Sequence, residues 1–283
     1  VAIDWGENVT EEKAYEVLAR IFEAERQRHE RQETDGWLAP RPRSPLAADD
    51  EAVHPYGVSF TVGQSLASGT DHLLMLAHQL TGEDGTLHAF APFTLARAAI
   101  ETAAAALWVV GPEDATQRRT NLLRWELTDR LDYAKIGKHL GRTEQEHQQD
   151  KDEVTQRVHD VADKLGIKVT RVSSTEMLEA EHVPATDLPA IAAWSAASGY
   201  AHGRPWAALT MSEAKWTPSV TRGVQSGRIT ADARVLFWFV NTAHLLRNEA
   251  EHRARELGKA PGPSAASWRL AASRDRAPLS GGL

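Results

Sequence analysis

The sequence predicts an all-α protein, a single helical bundle of six to seven helices with long loops and a disordered C-terminal tail. Three observations predict it. Apolar residues recur at helical spacing through most of the 283 residues. N-cap residues, prolines and glycines punctuate the ends of those runs. The one stretch that alternates like a strand, Ile167 to Val172, has no convincing partner, so it reads as an extended connection. With 42% hydrophobic residues the chain can bury a sizeable core, and no internal repeat divides it. The bundle is assigned to residues 1–257 and the tail to 258–283.

Each element follows from its own signals. Thr10 caps a first helix with Glu11 and Glu12 in its first turn, and Ala14, Tyr15, Val17, Leu18, Ile21 and Phe22 carry its apolar face to about Gln32. From Asp35 to Tyr56, Gly36, Pro40, Pro42, Pro45 and Pro55 predict a surface loop or lid. A helix over Val58 to Leu80 buries Leu73, Leu74, Leu76, Ala77 and Leu80, and the Gly82 to Gly85 stretch ends it. Pro92 then suits the first turn of a helix that stops at Gly111-Pro112, and its alanines permit close approach of neighbours at the centre of the bundle. Glu113 to Leu140 forms the next helix, with Leu122, Leu123, Trp125, Leu127, Leu131, Tyr133 and Ile136 inward. The very polar Thr143 to Leu165 keeps only the thin stripe Val154, Val158, Val161 and Leu165, as an exposed helix packed along one edge does. Leu188 to Ala201 is a second small-residue helix, closed by Gly203 and Pro205. A poorly periodic tract containing Trp206 and Trp216 leads to a last helix, Thr230 to Leu257, whose charged end from Arg247 to Glu256 is expected to project into solvent.

Composition removes several function classes. There is no cysteine, so disulfides, thiolate metal sites and cysteine nucleophiles are excluded. A net charge of -7 opposes broad attraction to polyanions, although local basic patches remain open. Arg97 and Glu101 interrupt the most apolar helix, which argues against a membrane span. Val1 to Glu12 lack a secretory pattern, so a cytoplasmic location is expected. No Gly-rich phosphate loop or dinucleotide fingerprint is present, so no cofactor is expected, and no histidines or carboxylates show the paired spacing of a metal site.

Two patches offer chemistry. Arg97 and Glu101 are four residues apart and share a helical face that Ala104 and Trp108 continue. They form either an ion pair that fixes helix register or a polar pocket in which Arg97 holds an anion, Glu101 orients it or moves a proton, and Trp108 forms a wall. The second patch runs from Trp194 to Arg204. His202 lies at a helix C-terminus, where the dipole favours its protonated form, and Ser195, Tyr200 and Arg204 are candidate ligand-binding groups. If the two alanine-rich helices pack together, Arg97, Glu101, Tyr200 and His202 surround one pocket.

Arg247-Asn248-Glu249-Ala250-Glu251-His252 resembles the Arg-to-His signature of the HEPN nucleases, which are helical proteins. The resemblance implies metal-independent cleavage of RNA, with Arg247 holding phosphate and His252 assisting attack by the 2′-hydroxyl. Five positions along an unbroken helix set the two side chains about 140° apart, so convergence needs a dimer or a helix break. Arg97-Ala98-Ala99-Ile100-Glu101, with Ala105, Leu107 and Trp108 and the later Ser195 to Gly203 segment, is similar to a group of uncharacterised helical proteins common in high-GC Gram-positive bacteria. That resemblance implies that both motifs belong to one domain. Two functions are therefore expected. One is a HEPN-like RNA phosphodiesterase of defence or toxin type, using Arg247 and His252 or else Arg97 and His202; the other is a non-catalytic bundle binding a small anion or a partner. Small-residue helices also suit a homodimer.

Overall fold

The computed structural model describes residues 9–34, 36–81, 87–217, 220–222 and 226–260. Helix α1 (Glu11–Gln32) starts where Thr10 accepts the Lys13 amide at 3.2 Å, and it buries Ala14, Leu18, Ile21 and Phe22. The segment after it contains α2 (Pro45–Ala52), which corrects the expectation of one continuous loop. Pro45 occupies the first turn, where proline is favoured, and Ser44 caps it, so a residue read as a breaker is a helix start. The buried Asp49 carboxylate fixes α2 by accepting from Arg118 Nε at 2.7 Å and Arg119 Nε at 2.8 Å. Helix α3 (Val58–Thr81) follows; the glycines expected to end it lie outside the described residues.

Helix α4 (Ala91–Val110) is the axis of the bundle, packed by α3 on one side and by later helices on the others. Its alanines make this feasible. A Cβ added at Gly69 of α3 would lie 3.0 Å from Thr102 Oγ1, so the two backbones approach about as closely as side chains allow. Among the described residues α4 is the one helix long and apolar enough to cross a membrane, and here other helices enclose it. Phe93, Ile100 and Leu107 are fully buried, each contributing about 1.5–3 kcal/mol.

Helices α5 (Ala115–His139) and α6 (Glu144–Leu165) pair with each other, and α6 packs chiefly on α5. Thr143 and Glu146 form a capping box at the start of α6, and Gly166 ends it at φ 66°, the left-handed conformation that glycine adopts freely. Val158, Val161 and Ala162 supply its buried stripe. Tyr133 and Ile136 of α5 are exposed, contrary to expectation, because α6 covers only one side of that helix end.

The extended 167–172 connection holds no strand, as read, and a short helix not foreseen in the sequence, α7 (Ser174–Leu178), follows it and rests on α4. Helix α8 (Ala190–Ala201) packs along α4, as the small residues on both predict. The poorly periodic tract is α9 (Pro205–Met211) followed by an antiparallel hairpin, β1 (Ser212–Thr217) and β2 (Ser226–Ala231), with Ser212 opposite Ala231. This two-stranded ribbon was hidden because most of its residues are exposed on both faces, which removes the alternation that marks a half-buried strand. Helix α10 (Ala233–Leu257) begins after Thr230, which belongs to β2; Asp232 caps it by accepting the Arg234 amide at 2.8 Å. The described residues thus contain ten helices rather than six to seven. Most of the predicted tail, 261–283, lies outside the described residues.

The charged end of α10 does not project freely into solvent. Arg247, Ala250, Glu251 and Ala254 are buried, continuing the face begun by Val240 and Ala243. Alanines at 243, 250 and 254 let α1 approach closely enough to bring its Glu25 carboxylate to Arg247.

Candidate functional site

Arg97 and Glu101 form the expected pair, Nη2 to Oε2 at 3.1 Å, each side chain about one-quarter exposed. Glu101 is further tied by Ser174 Oγ, which donates to Oε1 at 2.6 Å, and by Trp194 Nε1, which donates to Oε2 at 3.1 Å. The Arg97 guanidinium lies 5.1 Å from the centre of the Trp194 ring. Packing of α4, α7 and α8 therefore gathers a cation, a carboxylate, a hydroxyl and an indole. The cleft beside Glu101, about 170 Å³, is bordered by Asp129 and Asp132 as well, so its field is unfavourable to an anion.

The other members of the expected pocket lie elsewhere. Tyr200 is buried against Phe93, ring centres 3.9 Å apart and nearly parallel, and its hydroxyl is 2.9 Å from Ser212 Oγ. Burial pushes that hydroxyl up to about 12, which makes it a structural anchor for the hairpin rather than a proton donor at neutral pH. His202 is the exposed C-cap residue of α8; its amide donates to Ser198 O, and the Gly203 amide donates to Tyr200 O. Ser195 and Arg204 are exposed. Trp108 is buried and lies beneath Arg124, 5.5 Å from that guanidinium, so it walls no cavity around Arg97.

Arg247 sits in a closed network between α1, α3 and α10. Its Nε lies 3.3 Å from Glu25 Oε2 and its Nη1 3.1 Å from Glu251 Oε2, and Nη2 donates to Thr70 Oγ1 at 2.5 Å. Arg28 pairs with Glu25 and also with Glu251 at 3.2 Å, while His244 Nδ1 lies 3.0 Å from Glu25 Oε1. Burial pushes the Glu25 carboxyl up, but the His244 hydrogen bond and the Arg247 and Arg28 guanidinia outweigh it, leaving the group below the ordinary glutamate value. Glu251 is held low in the same way: burial pushes it up, and Arg247, Arg255 and Arg28 outweigh that. Burial lowers Arg247 as well. His252 is exposed, on a different face of α10 from this network, and nothing brings it to Arg247 within one chain.

Sequence reasoning missed a third constellation. Pro55, Tyr56, Arg130, Glu153, Val154 and Arg157 line a cleft of about 410 Å³ between the α2–α3 junction, α5 and α6. Glu126 pairs with Arg130, 3.2 Å from its Nη2, and lies 3.4 Å from Thr61 Oγ1, which donates to it. Burial pushes Glu126 up, with Arg130 opposing and Asp129 adding to the effect. Burial also raises the Tyr56 hydroxyl, and Arg130, Glu126 and Arg157 all act on it, so these four groups share one electrostatic environment. Glu153 accepts instead from Gln149 at 3.0 Å, and among the described residues no carboxylate lies within ion-pair distance of Arg157. The i, i+4 pair Glu126 and Arg130 was visible in the sequence, but identical in kind to pairs that merely face solvent, such as Glu249 and Arg253.

Among the described residues no group of three or more histidines and carboxylates is placed to hold a metal ion. Comparison of the chain with protein-family models, with curated proteins and with solved structures gives no match.

Proposed function

We propose that this chain is a non-catalytic helical bundle that binds a small anion, through the cleft formed by Tyr56, Arg130 and Arg157. The observation that carries this reading is the disposition of the cations. Arg247 is buried among Glu25, Glu251 and Thr70, and Arg97 is matched by Glu101, so neither guanidinium is left over for a substrate. Arg157 lines an open cleft and has no carboxylate within ion-pair distance among the described residues, so it is the cation left over there; Arg130 beside it is matched by Glu126, and Glu153 in the same lining accepts from Gln149. Concave sites with a few convergent polar groups are where small ligands bind. The same disposition favours binding over phosphodiester cleavage, because cleavage needs a free cation next to the acid-base histidine, and Arg247, the cation that the signature pairs with His252, is buried with its own partners while His252 is exposed.

Thermal-shift screening of the purified chain with small inorganic and organic anions tests the reading. A saturable rise in melting temperature that Arg157→Ala abolishes is expected. In parallel, mixed RNA incubated with the protein in EDTA should remain intact; cleavage that disappears in His252→Ala would replace this reading with the nuclease one.

A further inference from the structure

We propose that the cleft takes a phosphate monoester, whose phosphoryl head bridges Tyr56 on the bundle body to Arg130 and Arg157 on α5 and α6; this deepens the anion-binding reading and rests on it. The first argument is geometric. Three donor-bearing residues line the cleft from three separate elements: Tyr56 before α3, Arg130 on α5, which also pairs with Glu126, and Arg157 on α6, with Glu153 the carboxylate of the lining. A planar carboxylate offers two oxygens in one plane and suits one guanidinium fork. A phosphoryl head offers three terminal oxygens in a tetrahedral arrangement and can satisfy all three donors together.

The second argument is size. At about 410 Å³ the cleft falls within the range of small-molecule pockets, about 300–1,000 Å³, and so has space for an organic body as well as a head. Pro55 and Val154 supply apolar walls for that body.

The third argument is the position of α6. Because α6 packs chiefly on α5, its outer end is tied to the bundle body by little else. A head group held by Arg157 on one side and Tyr56 on the other adds a second tie, so binding should reduce opening motions of α6. Arg130 lies over the Tyr56 ring, 6.0 Å from its centre, so the two side chains already meet at the cleft.

Calorimetric titration with phenyl phosphate, inorganic phosphate and benzoate tests the inference on the wild-type chain, Arg157→Ala, Tyr56→Phe and a surface control, Arg228→Ala. Melting curves establish that every variant is folded. Phenyl phosphate should bind saturably and more tightly than inorganic phosphate or benzoate. Arg157→Ala and Tyr56→Phe should each weaken it about tenfold or more, and Arg228→Ala should leave it unchanged. Amide exchange across Glu144–Leu165 should slow when phenyl phosphate is added to wild type and not to Arg157→Ala. Benzoate binding as tightly as phenyl phosphate would overturn the monoester while leaving the anion reading intact. Phenyl phosphate binding unaltered in both cleft variants would overturn the site, and no response to any of the three anions would overturn both.

Discussion

Replacing Arg247 by methionine keeps an unbranched apolar stem and removes one charge from a buried set that is otherwise balanced. In the core of that set two carboxylates, Glu25 and Glu251, face two guanidinia, Arg28 and Arg247. Without Arg247 the fully buried Glu25 keeps only Arg28 and His244, and it shares Arg28 with Glu251, which also keeps the more exposed Arg255. Breaking a buried pair on one side costs about 3–5 kcal/mol, since the remaining charge stays desolvated. At roughly 2–4 °C per kcal/mol for a domain of this size, the melting temperature should fall by roughly 6–20 °C. Glu25→Gln together with Arg247→Met restores neutrality, leaving Glu251 with Arg28 at 3.2 Å and Arg255 at 2.9 Å, so the double variant should lose about 1–3 kcal/mol less than the two singles summed. Acid adds a second signature. Both carboxyls lie below the ordinary value of 4.5 in the folded state, so their contribution is complete above that pH and is lost as pH falls through the lowered values. Wild type should therefore lose more stability on acidification than Arg247→Met does. Urea denaturation of the four proteins at pH 7 and at pH 4 measures all of this. An Arg247→Met cost under about 1 kcal/mol, or strict additivity in the double variant, would refute the closed-network account.

Three further outcomes are expected. Asp49→Asn should cost about 3 kcal/mol in urea denaturation, because it removes the negative charge shared by Arg118 and Arg119, replaces one of the two acceptor oxygens by a donor, and leaves the buried Arg118 guanidinium without its counter-ion; a loss within about 0.5 kcal/mol would show that α2 is held by its apolar contacts alone. Glu126→Gln should raise the melting temperature at neutral pH and not at pH 4, since a carboxyl pushed up by burial contributes stability below the ordinary value that is lost as pH rises through the folded value. Gly199→Ala should cost about 1–3 kcal/mol by thermal melting, because the added Cβ would lie 2.6 Å from Trp206 Cζ2 and 2.9 Å from Ala207 Cβ; the indole can swing aside, but the alanine is fixed to α9, and no loss would mean that α8 and α9 slide freely.

What the sequence discloses follows from how local each signal is. Thr10, Pro92 and Thr143 mark helix starts through contacts within a few residues, and all three starts lie where their neighbours place them. Pro45 carries the same kind of signal, but four other breakers around it obscure a helix of only eight residues. The α10 face fails for a different reason: charge reads as solvent-facing, and only the partner helix reveals that Glu25 is waiting for Arg247. The small residues Ala243, Ala250 and Ala254, spaced along one face with Arg247, were the trace that could have found it. Arg97 and Glu101 were legible because they interrupt an apolar run, whereas Ser174 and Trp194 reach Glu101 from 73 and 93 positions away. The cleft residues Tyr56, Arg130 and Arg157 had no such mark, being ordinary exposed or loop positions until α5 and α6 fold beside the α2–α3 junction.

The distribution of cations separates architecture from function in this bundle. Where guanidinia are buried, as Arg247 is along the α1 and α10 contact, they meet carboxylates inside the chain, as desolvation demands. Such groups fix register and have little capacity left for a ligand. Where packing is thinnest, at α6 with its narrow stripe of Val158, Val161 and Ala162, guanidinia stay hydrated and one of them stays unmatched. A ligand binding there disrupts no core contact. It replaces water around charges that are already partly exposed, which costs far less than opening the Glu25 and Arg247 network would. The capacity to bind an anion is therefore found at the edge of the fold, where the chain can accommodate an occupied and an empty cleft with the same core.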